Sequence, residues 1–174
     1  MFDEIQCGLG RTGKVFAHQH AGVTPDIMTL AKPLAGGLPM GAVIATDAVA
    51  DAMRPGDHGT TFGGGPLVAS VATAVVRALS DPSLLEGVRV RSAHLVRGLQ
   101  GLRAKVAGIR EIRGMGLLQG IVLDGQAAPV LAKAREKGLL VLSAGPDVVR
   151  LLPPLIVSED ELDHGLEILG EALA

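Results

Sequence analysis

The stretch from Asp26 to Gly37 constrains this chain more than any other. Ile27 to Ala31 is a short, mostly apolar run suited to a buried parallel strand, and it leads straight into Lys32, Pro33 and the pair Gly36-Gly37. Proline and paired glycines stop the strand, which places Lys32 at its carboxyl end. In open α/β sheets ligands bind in the crevice beyond those ends, so an amine carried there by a rigid strand is set to attack a carbonyl. The plainer reading, a solvated loop lysine, prevails for any lysine taken alone. The residues around Lys32 reverse that order.

The chain has 174 residues, a formal net charge of −2 and 48% hydrophobic residues, enough for an ordinary soluble fold with a real core. No basic tract gives an electrostatic footprint for nucleic acid, and no apolar run reaches the length of a membrane span. With three Phe and no Tyr or Trp, base-stacking platforms are nearly absent as well. Met1-Phe2-Asp3-Glu4 carries no signal-peptide pattern, and a single cysteine, Cys7, forms neither an intrachain disulfide nor a metal site. The five histidines are scattered without ligand spacing, which favours structural or surface roles and no metal. Taken together these features predict a cytoplasmic protein.

In chain order, Met1-Phe2 is a strand stub that runs into Asp3-Glu4-Ile5-Gln6. Gly8-Leu9-Gly10-Arg11-Thr12-Gly13 is glycine-rich but matches neither the dinucleotide fingerprint nor the P-loop. Lys14 to Ala21 reads as a short helix or turn, Met40 to Thr46 as a strand, and Asp47 as the N-cap of a helix through Met53. Arg54 to Pro66 is a long polar loop of the kind that carries function. Leu67 to Leu79 is helical, and Ser80-Asp81-Pro82-Ser83 marks the domain boundary, giving units 1–82 and 83–174. Beyond it the pattern predicts a helix from Leu84 to Val106, paired strands Ile109 to Arg113 and Leu117 to Leu123, and a helix from Ala127 to Lys137. Strands Leu139 to Ser143 and Val148 to Leu152 follow, then an amphipathic helix from Glu159 to Leu173.

Three features join Lys32 as candidates for a site: Asp3 with Gln6, the hydroxyls of Thr60 and Thr61, and Arg150 in Val148-Val149-Arg150-Leu151-Leu152-Pro153-Pro154. Each has a plainer reading. Asp3 could cap a helix or sit on the surface, the threonines could satisfy loop backbone, and Arg150 could form an ion pair on a strand. Collectively they are the parts a pyridoxal-phosphate enzyme requires: an attachment lysine, an acid for the pyridinium nitrogen, and phosphate donors.

At these residues the sequence resembles the class III (subgroup II) pyridoxal-phosphate aminotransferases, of the acetylornithine type. Phe2-Asp3-Glu4-Ile5-Gln6-Cys7-Gly8, followed by Gly10-Arg11-Thr12-Gly13-Lys14, is similar to the family's aspartate block. Thr24-Pro25-Asp26-Ile27-Met28-Thr29-Leu30-Ala31-Lys32 is similar to its lysine block, and the separation of 29 positions between Asp3 and Lys32 fits. His58-Gly59-Thr60-Thr61-Phe62-Gly63-Gly64 favours the acetylornithine type over 4-aminobutyrate aminotransferases, and Gln6 argues against glutamate-semialdehyde aminomutases.

The resemblance implies the fold and the roles. The expected fold is the α/β type I fold of pyridoxal-phosphate transferases: a truncated large-domain parallel or mixed sheet, then a small α+β carboxy-terminal domain. Lys32 is the implied Schiff-base lysine and proton carrier, Asp3 the partner of the ring nitrogen, Gln6 that of the ring 3-oxygen, and Ile5 a packing contact on the ring face. Thr60 and Thr61 belong to the cofactor-binding set, with Thr61 reaching the phosphate of the neighbouring subunit in a homodimer, and Arg150 clamps a substrate carboxylate. The implied reaction moves an amino group from N-acetylornithine, or a related ω-amino substrate, to 2-oxoglutarate in arginine biosynthesis. Ornithine, 4-aminobutyrate and succinyldiaminopimelate aminotransferases, or a non-catalytic truncated chain or pseudoenzyme, are the alternatives. Gly65 departs from the family's usual Asn. Full-length relatives are expected to carry a further half ahead of the aspartate block, which makes this chain the expected carboxy-terminal half.

Overall fold

The computed structural model describes residues 1–174, and the chain divides into two compact units, Met1–Leu85 and Glu86–Ala174. The turn chemistry at 80–83 places the division near residue 82, whereas the contacts place it inside the helix that Pro82 opens. Asp81 explains the offset: its Oδ1 accepts from the amides of Ser83 (2.8 Å) and Leu84 (3.3 Å), so the helix is already capped and running before the first unit ends.

In the first unit β1 (Phe2–Asp3), β2 (Ile27–Leu30) and β3 (Ala42–Ala45) form a sheet in that order. β1 runs parallel to β2 with Asp3 opposite Thr29, and β3 runs antiparallel to β2. Along β2 the period-two pattern is plain, because Met28 and Leu30 are buried while Ile27 and Thr29 are half-buried. Met28 and Leu30 pack with Leu9, Leu34, Ala35 and Ala72, the last from helix α2 (Pro66–Leu79). The strands are shorter than sequence predicts. Ala31 leaves the ladder at φ −161°, ψ −139°, which ends β2 at Leu30, and Met40 and Thr46 fall outside β3. Asp47 is not the N-cap of α1 (Asp47–Ala50); Thr46 holds that position, and Asp47 adds its charge to the first turn instead.

The second unit packs α3 (Pro82–Lys105), α4 (Ala127–Glu136) and α5 (Glu159–Leu173) with β4 (Ile109–Met115), β5 (Leu118–Leu123), β6 (Leu142–Ser143) and β7 (Val148–Leu151). The sheet order is β4-β5-β7-β6, with every pair antiparallel. Val88, Leu95 and Leu99 recur at helical spacing on α3, and Leu162, Leu166 and Leu169 do so on α5; all six are buried with Ile121 and Val149 of the sheet. A side chain at Gly98 would run into Leu166, so glycine permits the close approach of α3 and α5. Ser158 starts α5 with a capping box: its amide donates to Glu161 Oε2 at 2.8 Å while its hydroxyl accepts from the Glu161 amide at 3.2 Å. The predicted strand Leu139 to Ser143 contracts to Leu142–Ser143, since only those residues pair with β7. No single helix in the chain is long and apolar enough to cross a membrane.

Candidate active site

Parallel pairing of β1 and β2 brings two of the sequence-predicted residues to one edge. Asp3 is the last residue of β1, and Lys32 stands two residues past the end of its neighbour β2. Asp3 is exposed, and its Oδ1 accepts from the Ile5 amide at 2.9 Å and the Thr29 hydroxyl at 3.4 Å. Both bonds fall on the same oxygen and orient the carboxylate. Ile5 and Gln6, half-buried in the turn after β1, follow directly.

Lys32 is exposed and opens a short 3₁₀ turn, Lys32–Ala35, whose later residues Leu34 and Ala35 are buried. Its backbone has φ +44°, a left-handed conformation unfavourable for any residue with a Cβ. It also precedes Pro33, which restricts it further. The turn ends on Gly36 at φ +62°, where glycine adopts the left-handed C-cap freely. Two anchored apolar residues and a glycine cap therefore hold one lysine in a strained pose, a combination that concentrates at functional sites. Lys14, the nearest rival amine in the sequence, is tied to the Gln19 carbonyl at 2.9 Å.

Glu4 was not singled out by sequence reasoning. It is 3% exposed, and its carboxylate accepts from the amides of Ala17 (2.8 Å) and His18 (2.7 Å), with His18 Nδ1 at 3.2 Å. The Cys7 thiol lies 3.6 Å from the same carboxylate, and burial first, then the Glu4 charge, push that thiol above the usual cysteine range. Thus Cys7 stays protonated and donates. The glycine at position 8 was the available signal: a Cβ there would stand 2.8 Å from the Glu4 carbonyl oxygen and 3.0 Å from Oε2.

Thr60 and Thr61 are exposed in the loop before α2, and the Thr60 hydroxyl accepts from the Gly63 amide at 3.0 Å. Arg150 lies in the second unit, half-buried on β7 opposite Gly120 of β5 and Leu142 of β6. No group of three or more His, Cys, Asp or Glu side chains converges to hold a metal ion.

A family model described as aminotransferase class III matches residues 1–173. The chain belongs to that family. Among relatives of class III aminotransferase type, the mitochondrial acetylornithine aminotransferase of Alnus glutinosa is 50% identical over 174 residues, a match covering 99% of this chain and 39% of the relative. Among solved structures, the N-acetylornithine aminotransferase of Stenotrophomonas maltophilia superposes with a TM-score of 0.87 at 41% identity, covering 98% of this chain and 45% of that one. The ornithine δ-aminotransferase of Plasmodium falciparum reaches a TM-score of 0.91 at 36% identity, covering 98% and 44%. The chain thus spans less than half the length of the relatives it matches. The fold is that of a pyridoxal-phosphate-dependent aminotransferase, mixed α/β, of which this chain presents a part.

Proposed function

We propose that this chain carries the cofactor lysine and its acid partner in a pyridoxal-phosphate-dependent transfer of an amino group from N-acetylornithine to 2-oxoglutarate, a step of arginine biosynthesis. The observation that carries the reading is the placement of Asp3 and Lys32 at the carboxyl ends of adjacent parallel strands, with Lys32 held at φ +44°. The donor set fits the cofactor. Lys32 offers an exposed amine, Asp3 an exposed carboxylate oriented through Oδ1, and Thr60 and Thr61 two exposed hydroxyls. Pyridoxal phosphate, when bound, supplies the electron sink that lets a C–H bond beside the transferred amine be broken.

The chain's residues do the rest. Lys32 would hold the cofactor through its amine, and Nζ is the group of this chain that would take up the proton from the substrate carbon bearing the amine. Asp3 would face the ring nitrogen, where an acidic partner favours the protonated ring. Gln6 would serve as a donor to the ring and Ile5 as an apolar packing contact for it. Thr60 and Thr61 would bind the phosphate, Thr61 that of a second copy of the chain in a homodimer. Arg150 provides a planar fork for two parallel hydrogen bonds to a substrate carboxylate, which lysine cannot reproduce.

N-Acetylornithine is favoured as donor because the acetylornithine enzymes match at 50% and 41% identity, against 36% for the ornithine enzyme. The higher TM-score of that ornithine enzyme, 0.91, favours ornithine as the second reading. Half-reactions of the cofactor-loaded protein with N-acetylornithine and with ornithine, followed by the change in cofactor absorbance, separate the two. Faster conversion by N-acetylornithine supports the first reading, and preference for ornithine overturns it.

A further inference from the structure

We propose that Glu4 is a positioning residue for Asp3, acting through a buried clasp that holds the end of β1; the inference rests on the cofactor reading above. Asp3 closes a strand of only two residues, tied to β2 by the pairs Phe2 with Met28 and Asp3 with Thr29 and by the Glu4 amide donating to the Thr29 carbonyl at 3.0 Å. The two bonds to Oδ1 orient the Asp3 carboxylate on its own backbone, but so short a strand gives that backbone little angular constraint. The next side chain supplies it.

The Glu4 carboxylate reaches across to the 3₁₀ turn Ala17–His20, taking the Ala17 amide on Oε2 and the His18 amide on Oε1, with His18 Nδ1 also beside Oε1. The His18 ring stacks on Phe16, with centroids 5.6 Å apart, and on Phe2 of β1, 6.3 Å apart. The turn therefore grips β1 at the residues on both sides of Asp3. On the other flank the Gly8 amide donates to the Glu4 carbonyl at 2.9 Å, and the Cys7 thiol lies 3.4 Å from the Asp3 carbonyl. The backbone on both sides of Asp3 is thus held by bonds of its neighbours, while Asp3 itself is exposed.

A buried carboxylate is a poor device for stability alone, because desolvation offsets most of what its bonds return. Its bonds are directional, and they converge on the residue after the one that must meet the ring nitrogen. A neutral amide of the same size cannot replace it. Glutamine has one accepting oxygen, and its NH₂ group would face an amide N–H of Ala17 or His18.

The test compares the 174-residue chain with Glu4→Gln, Asp3→Asn and the double variant, each folded by circular dichroism and titrated with pyridoxal phosphate. Three results are expected of Glu4→Gln. The amides of Ala17 and His18 exchange faster, cofactor affinity falls by about tenfold, the scale of losing a charge-assisted hydrogen bond, and the pH midpoint of the bound cofactor's absorbance moves in the direction that Asp3→Asn moves it. In the double variant that midpoint moves no further than in Asp3→Asn alone, because the clasp acts through Asp3. An unchanged midpoint and affinity in folded Glu4→Gln, or shifts that add in the double variant, would overturn the inference. If Glu4→Gln does not fold, His18→Phe keeps the ring stacking and removes only the Nδ1 contact: a smaller midpoint shift in the same direction supports the proposal, and none overturns it. A wild-type absorbance band that survives in Lys32→Ala would instead overturn the cofactor reading, and this inference with it.

Discussion

Lys32→Gly should stabilise the first unit relative to Lys32→Ala, although both remove the amine. Lys32 sits at φ +44° ahead of Pro33, and in that conformation a Cβ crowds the following carbonyl. The left-handed pose costs a residue with a Cβ about 1–2 kcal/mol, and alanine retains that cost in full. Glycine removes it, while its freer unfolded chain takes back about 0.5–1 kcal/mol. The difference favours glycine by about 1 kcal/mol, which for a unit of this size corresponds to a rise of about 5 °C in Tm. Thermal unfolding followed by circular dichroism, without cofactor, reads the difference free of any ligand contribution. Equal Tm values, or a more stable Lys32→Ala, would show that the backbone at residue 32 is unstrained and that the turn is not built to hold a lysine against its preference.

Other expectations concern the second unit. Arg150→Lys should weaken kcat/KM of the cofactor-loaded protein by about 1–3 kcal/mol in transition-state terms and leave the cofactor absorbance intact; unchanged kinetics would make Arg150 structural. Leu99 is fully buried on α3, so Leu99→Ala should cost about 3 kcal/mol in chemical denaturation, and a loss under 1 kcal/mol would contradict the packing described. The Ser158 amide and then its hydroxyl hold the Glu161 carboxyl below the usual glutamate range. A depressed folded value means the contribution is complete above the unfolded glutamate pKa and is lost as pH falls through the folded one. Glu161→Gln should therefore lower the denaturation midpoint near neutral pH by an amount that shrinks on acidification, and a constant difference at all pH values would contradict the capping box.

The elements legible in sequence were those with strong periodicity and clear punctuation. Glu159 to Leu173 is helical from end to end because Ser158 and Glu161 form its box and Leu162, Leu166 and Leu169 share a face. β2 was legible from its apolar run and the proline and glycines beyond it. What sequence missed depends on contacts distant in the chain or on backbone geometry. The role of Glu4 has no local signal because its donors lie 13 and 14 residues away, in the 3₁₀ turn Ala17–His20. The left-handed pose of Lys32 is set by burial of Leu34 and Ala35 and the Gly36 cap, which no local pattern at residue 32 reveals. Leu139 to Val141 has strand composition but no partner strand, so β6 begins only at Leu142. Pairing, rather than propensity, decided that boundary.

Lys32 is the residue assigned to hold the cofactor, and covalent trapping reads out that assignment. The 174-residue chain is incubated with pyridoxal phosphate at a ratio near one to one, reduced with borohydride, digested and mapped by mass spectrometry. The geometry at the ends of β1 and β2 predicts a single dominant pyridoxyl label on Lys32, reduced sharply in Asp3→Asn. A dominant label on Lys14, or one spread evenly over the lysines and indifferent to Asp3, would contradict the assignment.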